Sequence, residues 1–267
     1  NAIANERVIV FGASGFLGSH VADALSSAGY QVRLFDRSAS PHLKPDQEMI
    51  IGDIMNLDQV IEAARDCSVV YNFAAIADID EAHNKPIPTA TINVLGNMHV
   101  LEAARIAGAR RFVFASSVYV YSESGSFYRA SKQAAERFTE TYHERYGLDY
   151  NILRYGSLYG RRADKRNGIY RMLLEAVKNH SITYKGSGEA MREYIHVEDA
   201  ARMSVQILAP EFANRHLILT GQEKMRIKDV ICFSSAHWPQ TGIKRTCRSW
   251  SRFIGLFTGN PPRFTSW

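Results

Sequence analysis

Short apolar runs alternate along the chain with segments whose apolar residues recur every three or four positions. "RVIVF" (Arg7–Phe11) is unbroken and reads as a strand buried on both faces. After a glycine-rich turn, "HVADALSSAG" (His20–Gly29) has helical spacing and closes on Gly29, a residue type that ends helices. "QVRLFD" (Gln31–Asp36) is the next strand. The same test predicts strands at "EMIIG", "SVVYNFA", "RRFVFASS", "YNILRYG" and "HLILTG". It predicts helices at "LDQVIEAARDC", "TINVLGNMHVLEAARIAG", "YRASKQAAERFTETYHERYG" and "GIYRMLLEAVKN". Strand and helix in alternation imply an α/β fold, a parallel sheet covered by helices on both faces. No internal repeat or low-complexity linker interrupts the pattern.

The pattern breaks near Val230. Beyond it, all three tryptophans (Trp238, Trp250, Trp267) gather in a stretch with no helix or strand period. Such a segment is either foreign to the fold, from a shifted reading frame or a replaced terminus, or an irregular cap. It also carries the charge. After Asp229 there is no Asp or Glu, but Lys244, Arg245, Arg248, Arg252 and Arg263 are present, leaving 27 basic against 27 acidic residues in the first 229. The net +5 is therefore a property of the tail, and no nucleic-acid partner is expected from it.

With 267 residues, 46% of them hydrophobic, the chain can form one large domain or a domain with a smaller appendage. It has no apolar run of about 18 residues, so no membrane span is expected. No charged-then-apolar leader is visible. Cys67, Cys232 and Cys247 have no metal-ligand spacing, so no metal is expected, and their scatter suits a reducing cytoplasm.

"GASGFLG" places Gly12, Gly15 and Gly18, with Ser14, Phe16 and Leu17 between them, directly after the first strand and at the opening of a helix. Small residues let the backbone approach a pyrophosphate, and the helix N-terminus offers it unpaired N–H groups. The strand–turn–helix context is what turns a weak glycine pattern into a dinucleotide site. Asp36 ends the second strand, where a carboxylate accepts from both ribose hydroxyls and repels a 2′-phosphate, so NAD is expected over NADP. Arg37 pulls the other way, since a guanidinium binds such a phosphate. Asp53, after the third strand, either faces the adenine or caps the helix that begins near "MNLDQVIEAA".

Tyr128 and Lys132 lie four apart on a helical stretch and so share a face. A free phenol with a pKa near 10 is a poor base at neutral pH. An adjacent ammonium and a cationic nicotinamide both favour the phenolate. Lys132 can also hold the nicotinamide ribose. Ser117, at the C-terminal end of a strand, can hydrogen-bond a substrate hydroxyl whose proton Tyr128 removes while hydride leaves the same carbon.

These motifs, with "NFAA" (Asn72–Ala75), "NVLGNMHVLEAARIAGARRFVFASS" (Asn93–Ser117), "YRASK", "LRYGSLYG" (Leu153–Gly160) and "GSGEAMREYIHVEDAA" (Gly186–Ala201), resemble the extended short-chain dehydrogenase/reductases of the NAD-dependent sugar epimerase/dehydratase family, over about residues 6 to 230. The resemblance implies a Rossmann-type doubly wound sheet over residues 1–155. It implies a smaller, truncated C-terminal substrate domain over 156–230, interleaved with that core, and an atypical basic tail over 231–267. It implies cofactor positions at the glycine turn, Asp36, Arg37, Asp53, Ile54, Phe73, Ala74, Ala75, Asn93, Tyr128, Lys132 and Tyr155. Ser117 takes the catalytic Ser/Thr position, four residues before Tyr121. Ser117, Ser157, Arg162 and Arg192 are the implied substrate contacts, Arg192 as a guanidinium fork for a diphosphate. The implied substrate is a nucleotide-diphosphate sugar, most readily a UDP-sugar. The helices "TINVLGNMHVLEAARIAG" and "YRASKQAAERFTETYHERYG" resemble the pair that forms a four-helix homodimer interface in the family.

Four departures are visible. Only "VYVYSESGSF" separates Ser117 from Tyr128, where relatives have a longer segment, so a substrate-side loop is missing. Ser157 replaces a common asparagine, and Arg161 a common proline. Val118 and Tyr119 stand where dehydratases carry Asp-Glu, and decarboxylases also use a glutamate in this turn. What remains is 4-epimerisation, or net oxidation or reduction of a sugar nucleotide or other hydroxyl substrate, or a non-catalytic NAD-binding protein.

Overall fold

In the computed structural model the described residues are 6–123, 125–179, 182–184, 187–222 and 224–236, with a short strand at Phe264–Ser266. The tail assigned to residues 231–267 thus lies, beyond Ala236 and apart from that strand, outside the described residues. The strands in chain order are β1 (Arg7–Phe11), β2 (Gln31–Asp36), β3 (Gln47–Ile51), β4 (Val69–Asn72), β5 (Arg111–Ser117), β6 (Tyr150–Tyr155), β7 (Ser157–Tyr159), β8 (Met191–His196), β9 (Arg215–Leu219), β10 (Lys224–Arg226) and β11 (Phe264–Ser266). The helices are α1 (Phe16–Ser27), α2 (Leu57–Ala64), α3 (Ile79–Asn84), α4 (Pro86–Ala90), α5 (Gly96–Ile106), α6 (Ser126–Tyr146), α7 (Gly168–Asn179), α8 (Val197–Gln206) and α9 (Ile227–Ala236).

The chain forms two compact units. The first runs to Tyr155 and takes in Ala201–Ile218. Its sheet has the order β9-β6-β5-β4-β1-β2-β3, with β11 beyond β9. From β6 to β3 every neighbouring pair is parallel. This is the doubly wound α/β arrangement, and its strand order reverses between β1 and β4. Every residue of β4 and β5 is buried, which a strand reaches only with helices on both faces. One core joins Ile9, Phe11, Phe35, Phe112 and Phe114 to Val60 of α2, Val100 and Leu101 of α5 and Ala135 of α6.

The second unit holds Gly156–Ala200 and a stretch from Leu219. Its sheet is β10-β8-β7, antiparallel between β10 and β8 and parallel between β7 and β8. Tyr159, Tyr194 and Val230 form its small core. Among the described residues no helix is long and apolar enough to cross a membrane.

Candidate active site

The glycine turn is wedged against the end of β4. Gly12 has φ of +78°, and a Cβ there would lie 2.5 Å from the Ala74 nitrogen and 2.6 Å from the Phe73 carbonyl carbon. A Cβ on Gly18 would lie 2.2 Å from the Gly12 oxygen. The turn therefore closes only without side chains at these positions, and this brings Phe73 and Ala74 against it. Gly15 caps α1 with no side-chain hydrogen bond, so the first N–H groups of the helix are left for an anion. Ser14 and Arg37 hold Asp36 from both sides: their backbone N–H groups donate to its two carboxylate oxygens at 3.0 and 2.7 Å. Each oxygen keeps a lone pair for a ribose hydroxyl. These residues fit a bound NAD.

Asp53 accepts from the Met55 N–H at 2.9 Å, closing its own turn. The cap of α2 is instead Asn56, whose side chain accepts from the Gln59 N–H. The capping alternative for Asp53 is thereby corrected. Ile54 is buried, and its carbonyl lies 3.0 Å from Nδ1 of His99 on α5. Asn93 sits in a π turn, Thr91–Leu95, between α4 and α5. Its amide grips the backbone of Ile76 in both directions, at 2.8 and 3.0 Å, and donates to Ser131 Oγ at 2.9 Å. It thus ties the loop after β4 to the helix that carries Tyr128 and Lys132. Tyr155 is turned inward, with its hydroxyl 2.6 Å from Ser204 Oγ.

The chemical residues meet where β5 ends and α6 begins. Ser117 is 8% exposed, and its hydroxyl hydrogen-bonds that of Tyr128, also 8% exposed. Tyr119 meets the Tyr128 ring edge-on at 6.4 Å. One turn along α6, Lys132 Nζ donates to the Ala115 carbonyl at 2.7 Å and lies 5.8 Å from the Tyr128 ring centre.

The electrostatics correct one expectation. The sequence predicts a phenol made acidic by Lys132. In the structure burial pushes Tyr128 up to about 12, against a smaller downward pull from the Ser117 hydrogen bond. Burial pushes Lys132 down to about 8, opposed by the negative charge of Glu136. Desolvation outweighs the neighbouring cation because both groups are sealed from water.

The short Ser117–Tyr128 connection is stitched to α6. Val118–Tyr121 make one 3₁₀ turn. Gln133 donates to the Val120 carbonyl at 2.8 Å and Arg129 to the Ser122 carbonyl at 2.5 Å. Ser126, with φ of 48°, begins α6 and meets His83 Nδ1 at 3.0 Å.

Three of the expected substrate contacts, Ser157, Arg162 and Arg192, belong to the second unit. Ser157 opens β7 opposite Tyr194 of β8, and Arg192 lies two residues before Tyr194 on the same face. Arg162 has φ of 66°. In the first unit, sequence reasoning missed Glu136 and Arg154, which form a buried ion pair at 2.6 Å, Glu136 one helical turn beyond Lys132. It also missed Asn72 and Asn97, whose amide bond at 2.8 Å braces the loop at Ala74. Their one signal was position: Glu136 repeats the Tyr128–Lys132 spacing.

Comparison with known proteins places this arrangement. A model described as the NAD dependent epimerase/dehydratase family matches residues 8–218. A putative UDP-glucose 4-epimerase of Methanocaldococcus jannaschii is 31% identical over 223 residues, covering 75% of this chain and 73% of its own. A UDP-glucose 4-epimerase of Mycolicibacterium smegmatis is 29% identical over 230 residues, covering 76% and 74%. Among solved structures, UDP-glucuronic acid 4-epimerase from Bacillus cereus in complex with UDP-glucuronic acid and NAD superposes with a TM-score of 0.79 at 25% identity, over 86% of this chain and 82% of that one. Thermus thermophilus UDP-glucose 4-epimerase in complex with NAD gives 0.76 at 26%, with the same coverage.

Proposed function

Because the chain belongs to the NAD-dependent epimerase/dehydratase family, we propose that it is a nucleotide-sugar epimerase that inverts a sugar hydroxyl carbon, C4 of a UDP-sugar. The observation that carries this reading is the hydrogen-bonded Ser117–Tyr128 pair one turn from Lys132, at the C-terminal end of a strand of the same sheet whose β1 leads into a turn that excludes side chains at Gly12 and Gly18. Bound NAD supplies a hydride acceptor and a cationic ring. Tyr128 takes the proton of the sugar hydroxyl, Ser117 holds that hydroxyl in line, and the positive charge of Lys132 works against the burial that raises the phenol. With NAD bound, the hydride it accepts would be given back to the opposite face of the sugar and Tyr128 would return the proton, so no net oxidation would remain. The turn after Ser117 carries no carboxylate, which disfavours dehydration. Asp36 favours NAD. Ser157, Arg162 and Arg192 are assigned to the substrate's diphosphate side.

A homodimer through α5 and α6 belongs to the same proposal. The two helices pack together and expose Leu95 and Ile106 beside the first, and Phe138 and Tyr146 on the second.

The test is interconversion of UDP-glucose and UDP-galactose by the purified protein with NAD. The expected result is epimer formation without accumulating NADH. Tyr128→Phe should lower kcat by about 10²–10⁴-fold while NAD still binds. A variant as active as the parent refutes the assignment. Stoichiometric NADH would turn the reading to a net oxidoreductase.

A further inference from the structure

Lys132 is a buried cation whose charge the proposed chemistry needs. Its side chain is 4% exposed, its Nζ donates to one carbonyl, and the ring centre of Phe114 lies 4.8 Å away. A carbonyl and ring faces compensate an ammonium poorly once it has left water. One turn along the same face of α6 lies Glu136, 6% exposed. Its carboxylate is gripped from two strands. Ser116 of β5 donates to Oε1 at 2.5 Å. Arg154 of β6 donates from Nε to Oε1 at 3.0 Å and from Nη2 to Oε2 at 2.6 Å. Arg154 Nη2 also lies 2.9 Å from His216 Nδ1, and Nη1 bonds the Tyr121 hydroxyl. His216 Nε2 in turn lies 2.9 Å from Glu140.

We propose that the buried Glu136–Arg154 pair governs the charge of Lys132: Glu136 is its counter-charge, and Arg154, competing for the same carboxylate, limits the hold. For its catalytic consequence this rests on the epimerase reading above. Both are positioning residues, acting on the reacting atoms through Lys132 and Tyr128. Among the described residues, Glu136 is the charged group that opposes the effect of burial on Lys132. The other polar and titratable groups around α6 have different partners: Arg105 of α5 lies over Tyr146, Tyr150 of β6 meets His143, and Arg111 of β5 donates to Asn151. Tyr119 faces Tyr128, Tyr121 and His216 face Arg154, and Asn93 faces Ser131. His83 of α3 and Glu102 of α5 meet the helix near its two ends, at Ser126 and Tyr142. α4 carries no titratable residue.

The test is an NMR pH titration of the full chain labelled with ¹³C at the lysine ε-carbons, with Lys132 assigned by its absence in Lys132→Arg. Glu136→Gln should lower the Lys132 midpoint by about one pH unit, and Arg154→Met should raise it. Glu136→Gln leaves Arg154 buried without its counter-charge, which endangers folding. The double variant Glu136→Gln/Arg154→Met removes both charges and should still titrate below the wild type. The alkaline limb of kcat/KM should move in the same senses. A purely structural pair would lower the melting temperature without opposite shifts in the two single variants. A folded double variant with an unmoved Lys132 midpoint overturns the proposal. The titration needs no turnover, so inactivity of the wild type would fail the epimerase reading and leave this result standing.

Discussion

Replacing the turn glycines one at a time separates two demands that the turn meets at once. A Cβ on Gly12 would meet the Ala74 nitrogen at 2.5 Å, at a φ of +78°. Those neighbours are backbone atoms and cannot rotate aside. The left-handed conformation costs an alanine about 1–2 kcal/mol and overpacking adds about 1–3 kcal/mol, so Gly12→Ala should lose about 3 kcal/mol. In a domain of this size that lowers the melting temperature by about 6–12 °C. Gly15 differs. Its φ is −77°, and its added Cβ meets only the Gly12 oxygen, at 3.2 Å, a contact relieved by a small shift. Gly15→Ala should cost about 1 kcal/mol or less in stability. Yet Gly15 stands at the uncapped N-terminus of α1, where the pyrophosphate must approach, so NAD affinity should fall at least about tenfold. Urea denaturation without ligand and calorimetric NAD titration read the two effects separately. If Gly15→Ala is as unstable as Gly12→Ala, or binds NAD like the wild type, the division of labour argued here is wrong.

Lys132→Met tests the burial of the ammonium. The folded pKa of Lys132, about 8, lies below its ordinary value of 10.5, so its charge costs stability. That cost is fully present below pH 8 and is relieved as pH rises toward 10.5. The wild type should therefore gain about 3 kcal/mol on Lys132→Met across that window, read by denaturation at each pH, and a flat difference would contradict it. Asp36→Asn removes the charge that repels a 2′-phosphate while leaving an acceptor, so NADP should bind more tightly relative to NAD. Unchanged discrimination in fluorescence titrations would move the selectivity elsewhere. Sedimentation at micromolar concentration should show a dimer that Phe138→Glu breaks; a monomeric wild type rejects the α5–α6 interface.

The first unit was largely legible because its strands are buried on both faces and so appear as unbroken apolar runs, as in "RVIVF" and "RRFVFASS". The strands of the second unit were not. β8 has the burial pattern of an irregular segment, with only Tyr194 and Ile195 buried, and β7 and β10 are three residues each. Such strands are specified by their partners rather than by their own period. α3, six residues long, is too short to show a helical repeat. The site divides the same way. Tyr128 and Lys132 stood out by spacing, because both sit on one helix. Glu136 was missed because a glutamate four residues on reads as a solvated face. Arg154, eighteen positions away on β6, and Ser116 on β5 make its burial tolerable. The direction of the Tyr128 shift was missed for a related reason: spacing reveals which charges are near, but not how much water has been removed.

On the proposed assignment, the chemistry does not depend on the length of the connection after Ser117. The reacting groups are held by regular structure, Ser117 by the end of β5 and Tyr128 and Lys132 by α6. Their relative placement therefore depends on how α6 packs against the sheet. That packing is secured by Lys132 on the Ala115 carbonyl and by Asn93 on Ser131, neither of which involves the connection. The connection itself is bound down by Gln133 and Arg129, two residues of the same helix, which take up the carbonyls of Val120 and Ser122. A longer loop would add wall around a substrate without adding a reacting group. Shortening it changes what can approach Tyr128 and leaves the Ser117–Tyr128 bond in place. Substrate choice and proton transfer are in this sense carried by different parts of the chain, and they can vary independently.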